Sequence, residues 1–198
     1  MNQNSKLKII AYSMQTDEKR QAVHILLILL AFFLKYLTKL QAAGLLLLLL
    51  VIVLVLVPRL KIKHYFYRQH ENHYSYGAVL YFLTLLILVL VFPLSVVATA
   101  WAVLALGDGT ATLIGKNFKV NELPWNRKKS YFGTLSFIFF GALGAFIMMQ
   151  WLGIGGDRVW SISFKTAIIA ALVESLPWRI NDNVSVAVAS AITLSILL

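Results

Sequence analysis

The sequence predicts an all-α integral membrane protein, a single domain over residues 1–198 with about seven transmembrane helices and a polar N-terminal segment at 1–18. Three observations lead there. Hydrophobic residues make up 60% of the chain and its mean hydropathy is +0.78, whereas a soluble domain is roughly 45–50% apolar. Runs such as Leu45 to Val57 carry no polar side chain, and a spanning helix needs about 20 mostly apolar residues. Basic residues also segregate into alternate connections, as the positive-inside rule requires.

The segments follow in order as Gln21–Leu37, Gln41–Val57, Gly77–Phe92, Leu94–Leu106, Tyr131–Trp151, Trp160–Leu176 and Asn183–Leu198. The first has a long polar lead and a second apolar run directly after it, so it reads as a retained helix rather than a cleaved signal. The third and fourth are separated by Pro93 and read as a tight hairpin, the fourth being short. Gly141, Gly144 and Ala145 recur at helical spacing in the fifth, a pattern that lets helices pack closely. Gly153, Gly155 and Gly156 form a turn. Trp101, Trp151 and Trp160 read as interface anchors. His64, His70, His73 and Glu71 interleave with Tyr65, Phe66, Tyr67, Tyr74 and Tyr76. Their spacing fits no zinc motif, and an aromatic, basic interfacial belt accounts for them better.

With the N-terminus in the cytoplasm, the inner segments hold Lys6, Lys8, Lys19, Arg20, Arg59, Lys61, Lys63, Arg68, Lys116, Lys119, Arg127, Lys128, Lys129 and Arg179, fourteen of the 18 basic residues. The outer loops hold Lys35, Lys39 and Arg158, and Lys165 lies within the sixth segment. The net charge of +10 is therefore mainly a topology signal with attraction to anionic lipid. Nucleic acid is a poor partner, because no soluble domain presents a groove. The chain has no cysteine, which removes thiol and disulfide chemistry.

This layout sends Asp108, Glu174 and Asp182 to one face, the cytoplasmic one. Ionisable residues at such places mark function by default, and three converging carboxylates suit a divalent metal such as Mg²⁺. Asp108 lies in Gly107-Asp108-Gly109-Thr110-Ala111-Thr112-Leu113-Ile114-Gly115-Lys116. Small residues there let a ligand approach the backbone. A helix starting at Gly109 would offer amide groups to a phosphate, with Thr110 and Thr112 as hydroxyl donors. The stretch is not a P-loop: it has one residue too many between glycines, and Asn117 follows Lys116. A basic cluster, Arg127-Lys128-Lys129-Ser130, follows about twenty residues after Asp108. Carboxylates, glycines and lysines together suggest a metal–nucleotide site at a membrane surface. Arg20 and His24 share one helix face at i, i+4.

At these residues the chain resembles the CTP-dependent lipid kinases (the dolichol, phytol and CTP-dependent diacylglycerol kinases), which are similar in turn to phosphatidate cytidylyltransferases. Gly107-Asp108-Gly109-x-Ala111-x-x-x-Gly115 matches the family's G-D-x-x-A-x-x-x-G. Pro124 through Lys128-Lys129-Ser130 to Gly133 matches P-x-x-x-K-[ST]-x-x-G. Val173-Glu174-Ser175 with Asp182-Asn183 matches E-S…D-N, and Arg20 with His24 matches R-K-x-x-H. Gln21 replaces the usual lysine, Asn181 a common acid, and Ala187 a frequent proline.

The resemblance implies transfer of the γ-phosphoryl group of CTP to a membrane lipid alcohol, an isoprenoid alcohol or diacylglycerol, with Mg²⁺. Asp108, Asp182 and Glu174 are then the metal residues. Gly107, Gly109, Thr110, Thr112, Gly115, Lys116, Lys128, Lys129, Ser130, Arg20 and Asn183 are the nucleotide residues. Lys128 and Lys129 neutralise the transferring group, and the base is Glu174, Asp108 or His24. The choice of CTP rests on the resemblance alone. Two rivals are cytidylyl transfer to phosphatidic acid, for which the chain is short, and a small transporter or structural membrane protein, whose carboxylates should sit near the midplane.

Overall fold

A computed structural model describes residues 18–60, 67, 74–117 and 121–198. Lys6, Lys8, Lys61, Lys63, Arg68, Lys119 and the His64–His73 part of the expected aromatic belt lie outside the described residues, Tyr67 excepted. The described chain is almost wholly helical. An N-terminal helix α1 (18–26) breaks at Leu27 and resumes as α2 (Ile28–Phe33), ending in a 3-10 turn at Leu34–Tyr36. Next come α3 (Lys39–Val51), α4 (Tyr76–Val91), α5 (Leu94–Val103), α6 (Gly109–Asn117), a β-hairpin of β1 (Glu122–Leu123) and β2 (Asn126–Ser130), α7 (Tyr131–Leu152), α8 (Val159–Ser175) and α9 (Asp182–Leu197).

Local chemistry sets the boundaries. Thr38 and Gln41 close a reciprocal capping box at the start of α3, satisfying amides that no helical carbonyl reaches. Pro93 lacks the N–H that α4 would need to continue, and α5 begins immediately after it. The Ser130 side chain caps α7 by accepting from the Gly133 N–H at 3.1 Å. Gly153 ends α7 in the left-handed conformation, φ 80°, which glycine adopts without a Cβ penalty.

Helix α5 is the centre of the bundle. Each residue from Val96 to Ala105 is buried, and alternating Ala, Thr and Val side chains admit neighbours on every side. At Gly144 a Cβ would lie 2.9 Å from the Ala102 carbonyl oxygen, so the α5–α7 contact depends on the missing side chain. Trp101, expected at the membrane interface, is instead fully buried, with its indole N–H donating to the Tyr81 hydroxyl at 2.5 Å. Its position in the central helix, beside a hydroxyl acceptor, outweighs the general preference of tryptophan for the interface.

The predicted segments fold as helices within a few residues of their expected limits, with two differences. The fourth does not stop at Leu106. Helix α5 passes through a wide π turn at Leu104–Asp108 and continues as α6, so Leu94–Lys116 is one long helix. The Gly109 N–H donates to the Leu106 carbonyl. The free helix start expected at Gly109 as a phosphate site is therefore absent. The second difference is in span number. Lys39–Arg59, Leu94–Lys116 and Tyr131–Leu152 are long and apolar enough to cross a membrane, while Tyr76–Val91 and Asp182–Leu197 are shorter apolar helices. Among the described residues, length and composition support three spans, not seven. The first segment falls short because it is broken at Leu27.

Candidate active site

Five elements deliver side chains to one end of the bundle. The π turn carries Asp108, the last turn of α8 carries Glu174, and α9 opens on Asp182. One ligand oxygen from each of these carboxylates lies within 4.8 Å of the others. Asp108 and Glu174 are buried and Asp182 is half-buried. A π turn inserts an extra residue into the helix and commonly marks a functional position; here it sets the register that points Asp108 at α8 and α9.

The hairpin supplies the countercharge. Along β2, Arg127 and Lys128 are exposed, whereas Lys129 is half-buried and turns inward. The Lys129 ammonium contacts Glu174 Oε1 and lies 2.8 Å from Asp182 Oδ2. Burial by itself would lower its pKa; the carboxylates of Glu174, Asp182 and Asp108 outweigh that and hold it above the ordinary lysine value. Lys129 is thus charged throughout the physiological range. Asn126 fastens the hairpin, its amide donating to the Ser175 carbonyl at 3.1 Å and the Leu176 carbonyl at 3.4 Å. Trp125 Nε1 donates to Ser175 Oγ at 3.4 Å.

On the other side of Asp108, α1 places His24. Its Nε2 is 3.6 Å from Asp108 Oδ2 and 3.3 Å from the carbonyl oxygen of Leu104, the residue that opens the π turn. Both are acceptors, which favours the tautomer with hydrogen on Nε2. In that state the imidazole steadies Asp108. Behind it, the Tyr81 ring meets His24 edge-on at 4.9 Å, and Trp101 holds the Tyr81 hydroxyl.

The donor set fits a divalent cation. Three carboxylates face one ammonium, which leaves excess negative charge, and all the donors are oxygens of the kind Mg²⁺ prefers. Glu174 Oε2 is buried and has no hydrogen-bond partner among the described residues. An orphaned buried carboxylate oxygen is costly, which leaves it an acceptor for a bound cation or for a substrate proton.

Known proteins give the arrangement a chemical context. The chain is 34% identical over 110 residues to a probable phytol kinase 1, chloroplastic, of Glycine max, covering 50% of this chain and 34% of that protein. It is 33% identical over 96 residues to the farnesol kinase, chloroplastic, of Arabidopsis thaliana, covering 45% and 31%. With phytol kinase 1, chloroplastic, of the same plant the identity is 27% over 106 residues, covering 50% and 34%. The chain is similar to the isoprenoid alcohol kinases. The matched segment spans about a third of the length of these relatives. No family model matches, and no solved structure does.

Within this relative of the alcohol kinases, the residues singled out from sequence separate into two groups. Asp108, Glu174, Asp182, Lys129 and His24 come together. Arg20 is half-buried one turn before His24. The others do structural work or stand apart. An added Cβ at Gly107 would meet Phe137 at 2.9 Å, at Gly109 Ile25 at 2.5 Å, and at Gly115 Ser130 Oγ at 3.2 Å. These glycines face protein neighbours and let α1 and α7 close on the α5–α6 helix. Thr110 Oγ1 donates to the Leu106 carbonyl at 2.6 Å, and Ser130 is a helix cap. Asn183 Nδ2 donates to the Gly77 carbonyl at 2.9 Å, tying α9 to α4. Thr112 is half-buried, and Lys116 and Lys128 are exposed. Sequence reasoning missed Asn126 and the Tyr81–Trp101 pair. Asn126 had a signal, since it lies inside the Pro124–Ser130 motif; an aromatic pair inside apolar runs has none.

Proposed function

We propose that this protein is a membrane-embedded kinase transferring the γ-phosphoryl group of CTP to the hydroxyl of an isoprenoid alcohol, with Mg²⁺ at the carboxylate cluster. The observation that carries the reading is the convergence of Asp108, Glu174 and Asp182 around Lys129 at one end of an apolar bundle. The names of the similar proteins, phytol and farnesol kinases, favour an isoprenoid alcohol over diacylglycerol. The absence of a P-loop pattern in the sequence, with the motif resemblance described above, favours CTP.

The mechanism follows from where the groups stand. Asp108 and Asp182 would hold Mg²⁺, which would supply positive charge to offset that of the nucleotide phosphates. The Lys129 ammonium turns from the carboxylates toward the γ-phosphoryl oxygens and offsets the charge that spreads over them during transfer. Lys128 and Lys116, exposed nearby in sequence, meet the outer phosphates. Glu174 Oε2 takes the alcohol proton as the alcohol oxygen bonds to the γ-phosphorus. The bond from that phosphorus to the β–γ bridging oxygen breaks, and CDP leaves. His24 keeps the Asp108 carboxylate in place. Apolar helix faces hold the isoprenoid tail with its hydroxyl at the membrane surface.

Purified protein with γ-labelled CTP, Mg²⁺ and phytol, farnesol or a polyprenol should place label on the lipid and release CDP. Release of pyrophosphate with cytidine on the lipid would show cytidylyl transfer instead. Rapid transfer from ATP but not CTP would overturn the donor. No turnover with any nucleotide and any lipid alcohol would overturn the kinase reading itself.

The proposed placement of the N-terminus and the site in the cytoplasm makes a separate prediction. The chain has no cysteine, so single cysteines report orientation cleanly. Arg127→Cys on the hairpin should resist a membrane-impermeant thiol reagent in intact cells and react after lysis. Gly155→Cys, at a site where an added Cβ meets nothing, should react in intact cells. The reverse pattern would invert the topology.

A further inference from the structure

We infer that the outer face of α8 and α9, in the half of the bundle remote from the carboxylates, holds an anionic phospholipid, with its phosphate on Lys165 and an acyl chain in the adjoining groove. The groove has a volume of about 270 Å³ and is lined by Lys165, Ile168, Ile169, Thr193, Ile196 and Leu197. Apart from the ammonium and the Thr193 hydroxyl, which is spent on the Ala189 carbonyl at 2.8 Å, the lining is aliphatic.

The groove is distinct from the candidate active site. Lys165 precedes Glu174 by nine residues on α8, a separation of about 13 Å and roughly two and a half turns at 1.5 Å and 3.6 residues per turn. The two side chains therefore lie on opposite faces, as their exposure shows: Glu174 is buried and Lys165 exposed. A lipid alcohol with its hydroxyl at Glu174 would not lay its tail here.

Charge identifies the occupant. Lys165 has no hydrogen bond or ion pair among the described residues. Of its neighbours on the same exposed surface, Phe164, Ile169 and Leu172 are apolar and Ser161 is polar but uncharged. In the membrane-embedded bundle proposed above, on which this inference rests, a cation on such a face needs an anion at hand. Lysine snorkels along its aliphatic stem toward the interface, and the near end of α8 carries Trp160, exposed and stacked on Phe146 at 4.3 Å, the residue type that marks that interface. An aliphatic groove with a single ammonium in its lining matches a phospholipid, which joins an anionic phosphate to aliphatic chains. A second copy of this chain would need a carboxylate for Lys165.

The test is lipid retention, which does not depend on turnover. The full chain, incorporated in nanodiscs of mixed phosphatidylglycerol and phosphatidylcholine, is released and its bound lipids are counted by native mass spectrometry. The parent should retain phosphatidylglycerol in preference. Lys165→Gln should lower that preference about fivefold, the effect of one basic residue near an anionic head group, while Lys165→Arg keeps it. Ile196→Trp, which fills the groove, should reduce retention of both lipids. Lys39→Gln, outside the groove, should change nothing. Equal retention of the two lipids by the parent, an unchanged preference in Lys165→Gln, or release as a dimer whose groove is blocked to lipid would each overturn the inference.

Discussion

Asp108→Asn should lower phosphoryl transfer roughly 100- to 1,000-fold, the several kcal/mol of charge stabilisation that a bound divalent cation supplies, while the protein still folds. The carboxylate is buried in the π turn, and its oxygens lie near those of Glu174 and Asp182 and beside His24. Asparagine keeps the volume and one oxygen but removes the charge on which the cation depends. The loss should appear in Mg²⁺ binding as well as in turnover, so that raising Mg²⁺ recovers part of the rate. Asp157→Asn, on an exposed turn at the other end of α8, should leave both unchanged. Near-normal turnover with unaltered Mg²⁺ dependence in Asp108→Asn would remove Asp108 from the metal site and leave its burial beside His24 as a packing feature.

How far the fold and site could be read from sequence depended on the kind of interaction. Apolar runs marked the helices well, because a stretch such as Leu45 to Val57 has no other stable use for its backbone groups away from water. Convergence of Asp108, Glu174 and Asp182 followed from reading each acid at one end of an apolar run, and their oxygens do come together, although Asp108 lies inside a continuous helix rather than at its end. The path through Gly107-Asp108-Gly109 was not legible. Glycine costs about 1 kcal/mol in a helix, so the motif reads as an end; packing of Phe137 on Gly107 and Ile25 on Gly109 carries the helix through. The hairpin was equally hidden. Arg127-Lys128-Lys129-Ser130 has no alternation of apolar and polar residues, and its strand character comes from pairing with Glu122–Leu123 and from Asn126 bonding to the end of α8. Without that strand, Lys128 and Lys129 are indistinguishable; with it, only Lys129 faces the carboxylates. Trp101 shows the same limit, because its burial depends on Tyr81 from another helix.

The last expectation separates these two lysines by stability as well as rate. Lys129→Met keeps the length of the side chain and removes its charge. Glu174 is buried, and Asp182 lies close to it, so their carboxylates lose the ammonium that lies between them. Breaking a buried pair from one side costs about 3–5 kcal/mol, and the half-exposed position of Asp182 places the cost toward the low end. In the absence of divalent metal, Lys129→Met should therefore melt well below the parent. Added Mg²⁺ should raise its melting temperature more than it raises that of the parent, because the cation takes over the missing charge and binding to the folded state stabilises in proportion to affinity. Turnover should nevertheless fall by about 10- to 100-fold, the worth of a charge-assisted contact to the transferring phosphoryl group. Lys128→Met should show no loss of stability and a smaller loss of rate, since Lys128 is exposed. An equal Mg²⁺ shift in Lys129→Met and the parent would mean that ammonium and cation do not share the carboxylate oxygens, and the metal would then have to be held elsewhere. A larger shift with turnover preserved would keep the shared site but take Lys129 out of catalysis, leaving it as the countercharge that holds the cluster together before the cation arrives.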